Sequence, residues 1–207
     1  TGPNKTEYTY TGAEQTIEGV AVDPSGLKGN DTASAYTLTY TSQKWDKTLN
    51  GGEGDWSEAR TSYGPNQLPV LTDVGKYRIS VTLTATNYQA TIEPYEVTIH
   101  SASQTVKLEG AGLTGDGTAE NPYSITKTLG DEIFTVTGKG YVGDTVVNEK
   151  NIRYEVTESK ADDGSAKPVV KVDGSSGAVT LLQAGTATVT VTAAACGNYG
   201  EATASYT

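Results

Sequence analysis

The chain has 207 residues and a formal net charge of −10. A polyanion is repelled by phosphate backbones and by anionic leaflets, which argues against nucleic-acid binding and against binding an acidic membrane surface. Hydrophobic residues make up 35%, with no Met, one Phe, 13 Tyr and 33 Thr. Thr and Tyr favour a pleated, half-exposed surface, so this composition predicts an all-β protein.

Taken in order, Tyr8 and Tyr10 alternate with Thr9 and Thr11 ahead of a Thr11-Gly12 turn. Ile17, Val20 and Val22 lead into Asp23-Pro24-Ser25-Gly26, a turn cluster in which Pro fixes φ. Tyr36, Leu38 and Tyr40 alternate with Thr37, Thr39 and Thr41, the pattern of a half-buried strand. An irregular stretch of about 25 residues carries both tryptophans. Asp73-Val74-Gly75 then opens a strand with Tyr77, Ile79, Val81 and Leu83 on one face and Lys76, Arg78, Ser80 and Thr82 on the other. Tyr95, Val97 and Ile99 close the first half, and Ser101-Ala102-Ser103-Gln104 reads as a short polar linker.

Val106 and Leu108 begin the second half, followed by a glycine-rich loop over 110–118 and an Asn121-Pro122-Tyr123 turn. Phe134 and Val136, then Ile152, Tyr154 and Val156, then Val170 and Val172 mark further strands. The strand after Ala184-Gly185 repeats the plan of the one after Val74-Gly75, and Asn198-Tyr199 repeats Asn87-Tyr88. A repeat spaced by a little over 100 residues is a domain repeat. Short strands with turn signals at this spacing predict sandwiches rather than βαβ units. The expected division is 1–101 and 102–207, the first domain carrying a Trp-containing insertion. Inward residues should include Tyr36, Leu38, Ile79, Val81, Val156, Val189 and Val191. The short linker predicts a semi-rigid connection.

Cys196 is the single cysteine, so no intrachain disulfide forms, and beside Ala193, Ala194 and Ala195 it is expected to be a small buried apolar group. No apolar run is long enough to span a bilayer as a helix, so no membrane insertion is expected. The chain starts Thr1-Gly2-Pro3, which suggests a fragment of a larger protein with flanking domains.

Asp73-Val74-Gly75-Lys76-Tyr77 resembles the D-x-G-x-Y tyrosine corner of immunoglobulin-like domains. The resemblance implies structural roles for Asp73, Gly75 and Tyr77, the hydroxyl tying the corner to upstream backbone. Where an antibody domain has its second cysteine this chain has Ile79, so the core is held by packing alone. The second half is similar to bacterial immunoglobulin-like domains of group 2, through Val172-Asp173, Ser176-Gly177-Ala178-Val179-Thr180 and Ala184-Gly185-Thr186-Ala187-Thr188-Val189-Thr190-Val191. It departs from the corner pattern at Ala187. Gly117 to Ile125 resembles a short segment common in bacterial surface proteins, and the first half resembles repeats that accompany such domains. Together these imply two tandem immunoglobulin-like β-sandwiches from a bacterial cell-surface or secreted protein, acting as stalk, spacer or adhesin module. They carry over no catalytic residue and no cofactor.

The residues themselves suggest no enzyme. His100 has no His or Cys near it in sequence, and Ser25-Gly26-Leu27-Lys28 sits in a Pro-Gly turn rather than on a helix. Asp162-Asp163-Gly164, Asp116 with Glu120, and Asp131-Glu132 are acidic turns without the spacing of a calcium loop, so no metal site is assigned. A Lys–Asn isopeptide crosslink would need an inward Lys, and the core strands offer none that convinces. The candidate ligand-binding residues are Trp45, Trp56, Asp46 and Asp55. If Asn50-Gly51 forms the hairpin turn that this dipeptide favours, register places Trp45 opposite Trp56 with both indoles on one face. Such a pair suits a glycan, or a host or matrix protein. Equally, one or both rings cap the end of the first core.

Overall fold

The computed structural model describes residues 1–29 and 31–207. The chain divides into two compact units, Thr1–Ala102 and Ser103–Thr207. The first holds β1 (Glu7–Thr9), β2 (Gln15–Thr16), β3 (Thr37–Asp46), β4 (Asp55–Trp56), β5 (Thr61–Ser62), β6 (Val70–Leu71), β7 (Gly75–Thr84) and β8 (Tyr95–His100). The second holds β9 (Thr105–Gly110), β10 (Phe134–Val142), β11 (Thr145–Asn148), β12 (Ile152–Ala161), β13 (Val170–Val172), β14 (Ala178–Leu181), β15 (Gly185–Ala193) and β16 (Ala202–Tyr206). Among the described residues the only helical pieces are three single 3₁₀ turns. The protein is all-β, two immunoglobulin-like sandwiches in tandem.

In the second unit β9-β10-β14-β13 faces β12-β15-β16. That is the A-B-E-D and C-F-G division of an immunoglobulin constant-type sandwich. In the first unit the principal sheet runs β1-β8-β7-β3-β4, with β5 also on β3. Its edge strand β1 lies parallel to β8. Among the described residues the paired strands of the opposite layer are the short β2-β6. Much of that layer, residues 17–22, lies outside any strand.

Tyrosine explains how so little regular structure suffices there. Tyr8 accepts a hydrogen bond from the Glu18 amide at 3.0 Å, and Tyr95 donates to the Glu18 carbonyl at 2.9 Å. Phenols from the principal sheet thus satisfy backbone groups that a ladder would otherwise have to pair. The second unit uses the same device. Tyr154 accepts from the Gly138 amide at 2.9 Å, and Tyr123 from the Leu108 amide at 3.3 Å. In a chain with one Phe and no Met, Tyr carries the aromatic packing and also the polar ties between layers.

The period-two strands bury as read. Leu38, Ile79, Val81, Val189 and Val191 are core residues. Tyr36 and Val156 are half-buried and pack against the same clusters. Val156 sits at a register shift in the β12–β15 ladder, where an extra residue, Thr157, bends the strand. Cys196 departs from expectation. It is half-buried rather than buried, because it lies in a tight turn where Cys196 and Tyr199 exchange backbone hydrogen bonds.

Candidate functional site

β3 is ten residues long, and its last two extend past the β7 ladder to pair with β4. There Trp45 stands opposite Trp56 and Asp46 opposite Asp55. The connecting loop is more elaborate than a two-residue hairpin. Asn50 and Gly51 both have positive φ, 51° and 68°, and Gly52 donates to the Leu49 carbonyl, as a primed turn requires. The strands do not pair through to that turn, however. Gly52 and Gly54 also have positive φ, and Gly54 folds back to the same Leu49 carbonyl. Simple register survives at the indoles although the hairpin around the turn is replaced by a glycine-rich loop.

The two rings meet edge to face, with centroids 5.2 Å apart and planes at 80°. Trp45 is 36% exposed and Trp56 is half-buried. Gly54 allows this packing, since a Cβ there would lie 2.6 Å from the Trp45 ring. The register Gln43↔Arg78 and Lys44↔Tyr77 brings the outer face of β7 alongside. The Arg78 guanidinium lies 4.4 Å from the Trp56 ring centroid and the Lys76 ammonium 5.8 Å from it. Lys76 is also ion-paired with Glu96 on β8. The surface is therefore an aromatic pair bordered by two cations and one carboxylate.

Asp46 and Asp55 follow the indoles in register, and alternation directs them to the opposite side of the β3–β4 ribbon. Asp46 accepts from the Thr48 hydroxyl at 2.7 Å and the Thr48 amide at 2.8 Å. Those bonds hold its carboxyl below the usual carboxylate range. Asp55 accepts from the Trp56 amide. Sequence reasoning missed Arg78, Lys76 and Glu96. The alternation of β7 exposes the first two, but only the β3–β7 register shows that they reach Trp56.

At the β7 corner the Tyr77 hydroxyl donates to the Asp73 carbonyl at 2.8 Å. Tyr77 is buried, and burial pushes its hydroxyl up to about 12. Gly75 has a φ of 153°, and a Cβ there would meet the Lys44 side chain at 2.7 Å. His100 ends β8 exposed and contacts the Glu7 carboxylate on β1. The acidic turns are occupied locally: Asp116 accepts from Thr118, Asp131 from Thr128, and Asp163 from Ser165. Among the described residues no group of three or more His, Cys, Asp or Glu is placed to hold a metal ion, and no helix is long and apolar enough to cross a membrane.

No family model matches the chain. No curated protein matches it either. Among solved structures, it is similar to the C-terminal 282-residue fragment of intimin, crystallised with the intimin-binding domain of the translocated intimin receptor. That similarity has 19% sequence identity and a TM-score of 0.30, and covers 98% of this chain. The chain spans 60% of the length of the intimin fragment.

Proposed function

We propose that the chain is a non-catalytic pair of extracellular modules from a bacterial cell-surface or secreted protein, the second of the group 2 bacterial immunoglobulin-like type. The first module presents a protein-contact surface and the pair acts as stalk or adhesin. Trp45, Trp56, Arg78, Lys76 and Glu96 form the contact face, while Asp46 and Asp55 lie on the other side of the ribbon.

The single observation that carries this reading is exposed Trp45 packed on half-buried Trp56, with Arg78 against the Trp56 ring. Trp and Arg dominate binding hot spots because they bury large areas while placing a few directed polar groups. The rings already pack on each other and on Arg78, so holding them in place costs less further ordering on binding.

A glycan is the second reading. A sugar stacks on an open indole face. Here the rings meet edge to face at 80° and Arg78 lies against Trp56, which favours a protein partner. Binding arrays of matrix proteins and glycans, probed with the intact chain and with a Trp45→Ala/Trp56→Ala variant, separate the readings. Saturable binding to a protein that is lost in the folded variant supports the contact surface. Binding only to glycans replaces the partner class.

A further inference from the structure

The two units enter their central strands through the same corner. Residues 71–76 and 181–186 follow one backbone course, a strand end, two bend residues and a new strand. Gly75 and Gly185 have φ of 153° and 150°. Two residues further on, the units part. Tyr77 points into the first core and reaches back to the Asp73 carbonyl. The corresponding residue of the second unit is Ala187, which is half-buried.

Ala187 lines a cleft of about 410 Å³, together with Phe134, Val169, Val179, Gln183, Val189 and Tyr206. That volume falls within the roughly 300–1,000 Å³ of small-molecule sites. Leu129, which also lines it, is 58% exposed. Tyr206 is 3% exposed, and its hydroxyl has no hydrogen-bond partner among the described residues. That hydroxyl is closed to solvent, so Tyr206 offers the cleft its ring rather than a polar partner.

We propose that this cleft binds a para-substituted phenol, in the place Tyr77 holds in the first unit. The ligand's hydroxyl donates to the main-chain carbonyl of Gln183, the residue that stands where Asp73 stands. The first unit supplies the template: a corner of the same backbone course, completed in cis by a phenol. The ring of the ligand packs on Phe134, Val179 and Val189 as the Tyr77 ring packs in its own core. This site is independent of the tryptophan surface.

The test is a titration of the whole chain, followed by amide NMR shifts, with p-cresol, with toluene and with a capped Gly-Tyr-Gly peptide. Saturable shifts centred on Gln183–Ala187, Phe134 and Val179 are expected, with toluene about tenfold weaker for want of one hydrogen bond. Binding of the peptide at least as tight as p-cresol identifies a tyrosyl side chain as the ligand. Binding of p-cresol alone identifies a free phenol. An Ala187→Tyr variant should lose p-cresol binding and raise the melting temperature of the second unit. Ala187→Leu, with less bulk, tests the same block if the tyrosine does not fit. The proposal is overturned if no saturable shift appears, if toluene binds as well as p-cresol, or if a folded Ala187→Tyr chain binds p-cresol undiminished.

Discussion

The Tyr77 hydroxyl donates to the carbonyl of Asp73, four residues upstream, at 2.8 Å. This bond pins the entry to β7 against a core with no disulfide, next to Ile79, which is fully buried. Tyr77→Phe keeps the ring and removes the tie, leaving a carbonyl less satisfied. The expected cost is about 1 kcal/mol, with little change in structure. Both tryptophans lie in the first unit, so their fluorescence during urea unfolding reports that unit selectively.

Alkaline pH should weaken both units. Burial raises the Tyr77 and Tyr206 hydroxyls to about 12, above the ordinary value of 10.0. A group raised in the folded state binds its proton more tightly there, so its contribution is complete below pH 10 and is lost as pH rises towards 12. The urea midpoint of each unit should therefore fall across that window. Tyr77→Phe should flatten part of the fall in the first unit, and Tyr206→Phe part of that in the second. An unchanged slope in both variants would place the alkaline sensitivity elsewhere.

Gly138 on β10 faces Val191 on β15 across the core of the second unit. A Cβ there would lie 2.6 Å from a Val191 methyl. Gly138→Ala should cost roughly 1–3 kcal/mol through overpacking. The loss should appear in the second unfolding transition by circular dichroism, with the tryptophan-reported transition unmoved.

Asp173 caps the turn between β13 and β14. Its Oδ1 accepts from the amides and hydroxyls of both Ser175 and Ser176. These bonds hold the carboxyl well below the usual range, so its contribution is present above the unfolded carboxylate value of 3.8 and is lost as pH falls beneath it. Asp173→Ala should lower the melting temperature of the second unit. Asp173→Asn keeps an accepting oxygen and should lower it less. Carboxyl ¹³C shifts should show this residue ionised at pH values where most exposed aspartates have titrated.

What was legible in the sequence was local. Alternation marked β3, β7 and β15, and the Gly75 and Gly185 corners stood out as a repeat. Asn50-Gly51 gave the Trp45–Trp56 register, although the turn itself sits in a larger loop than two residues. What escaped was non-local. Nothing in the neighbourhood of Trp56 points to Arg78, which arrives through the β3–β7 ladder. The parallel pairing of β1 with β8 joins residues about ninety apart. Tyr8 and Tyr95 look like strand aromatics, yet their hydroxyls meet at Glu18, in a segment without a strand of its own. The extra residue Thr157 carries no turn signal, since Val156-Thr157-Glu158 continues a plausible alternation.

The most direct test of the contact surface is the matrix-protein array probed with the intact chain beside Trp45→Ala/Trp56→Ala. Both indoles lie at a sheet edge and neither is fully buried, so the double variant should stay folded, each change costing about 1 kcal/mol. The expected result is saturable binding by the intact chain that the folded variant loses. Binding that survives in the variant, or no binding by the intact chain, would contradict a recognition role for the Trp45–Trp56 surface.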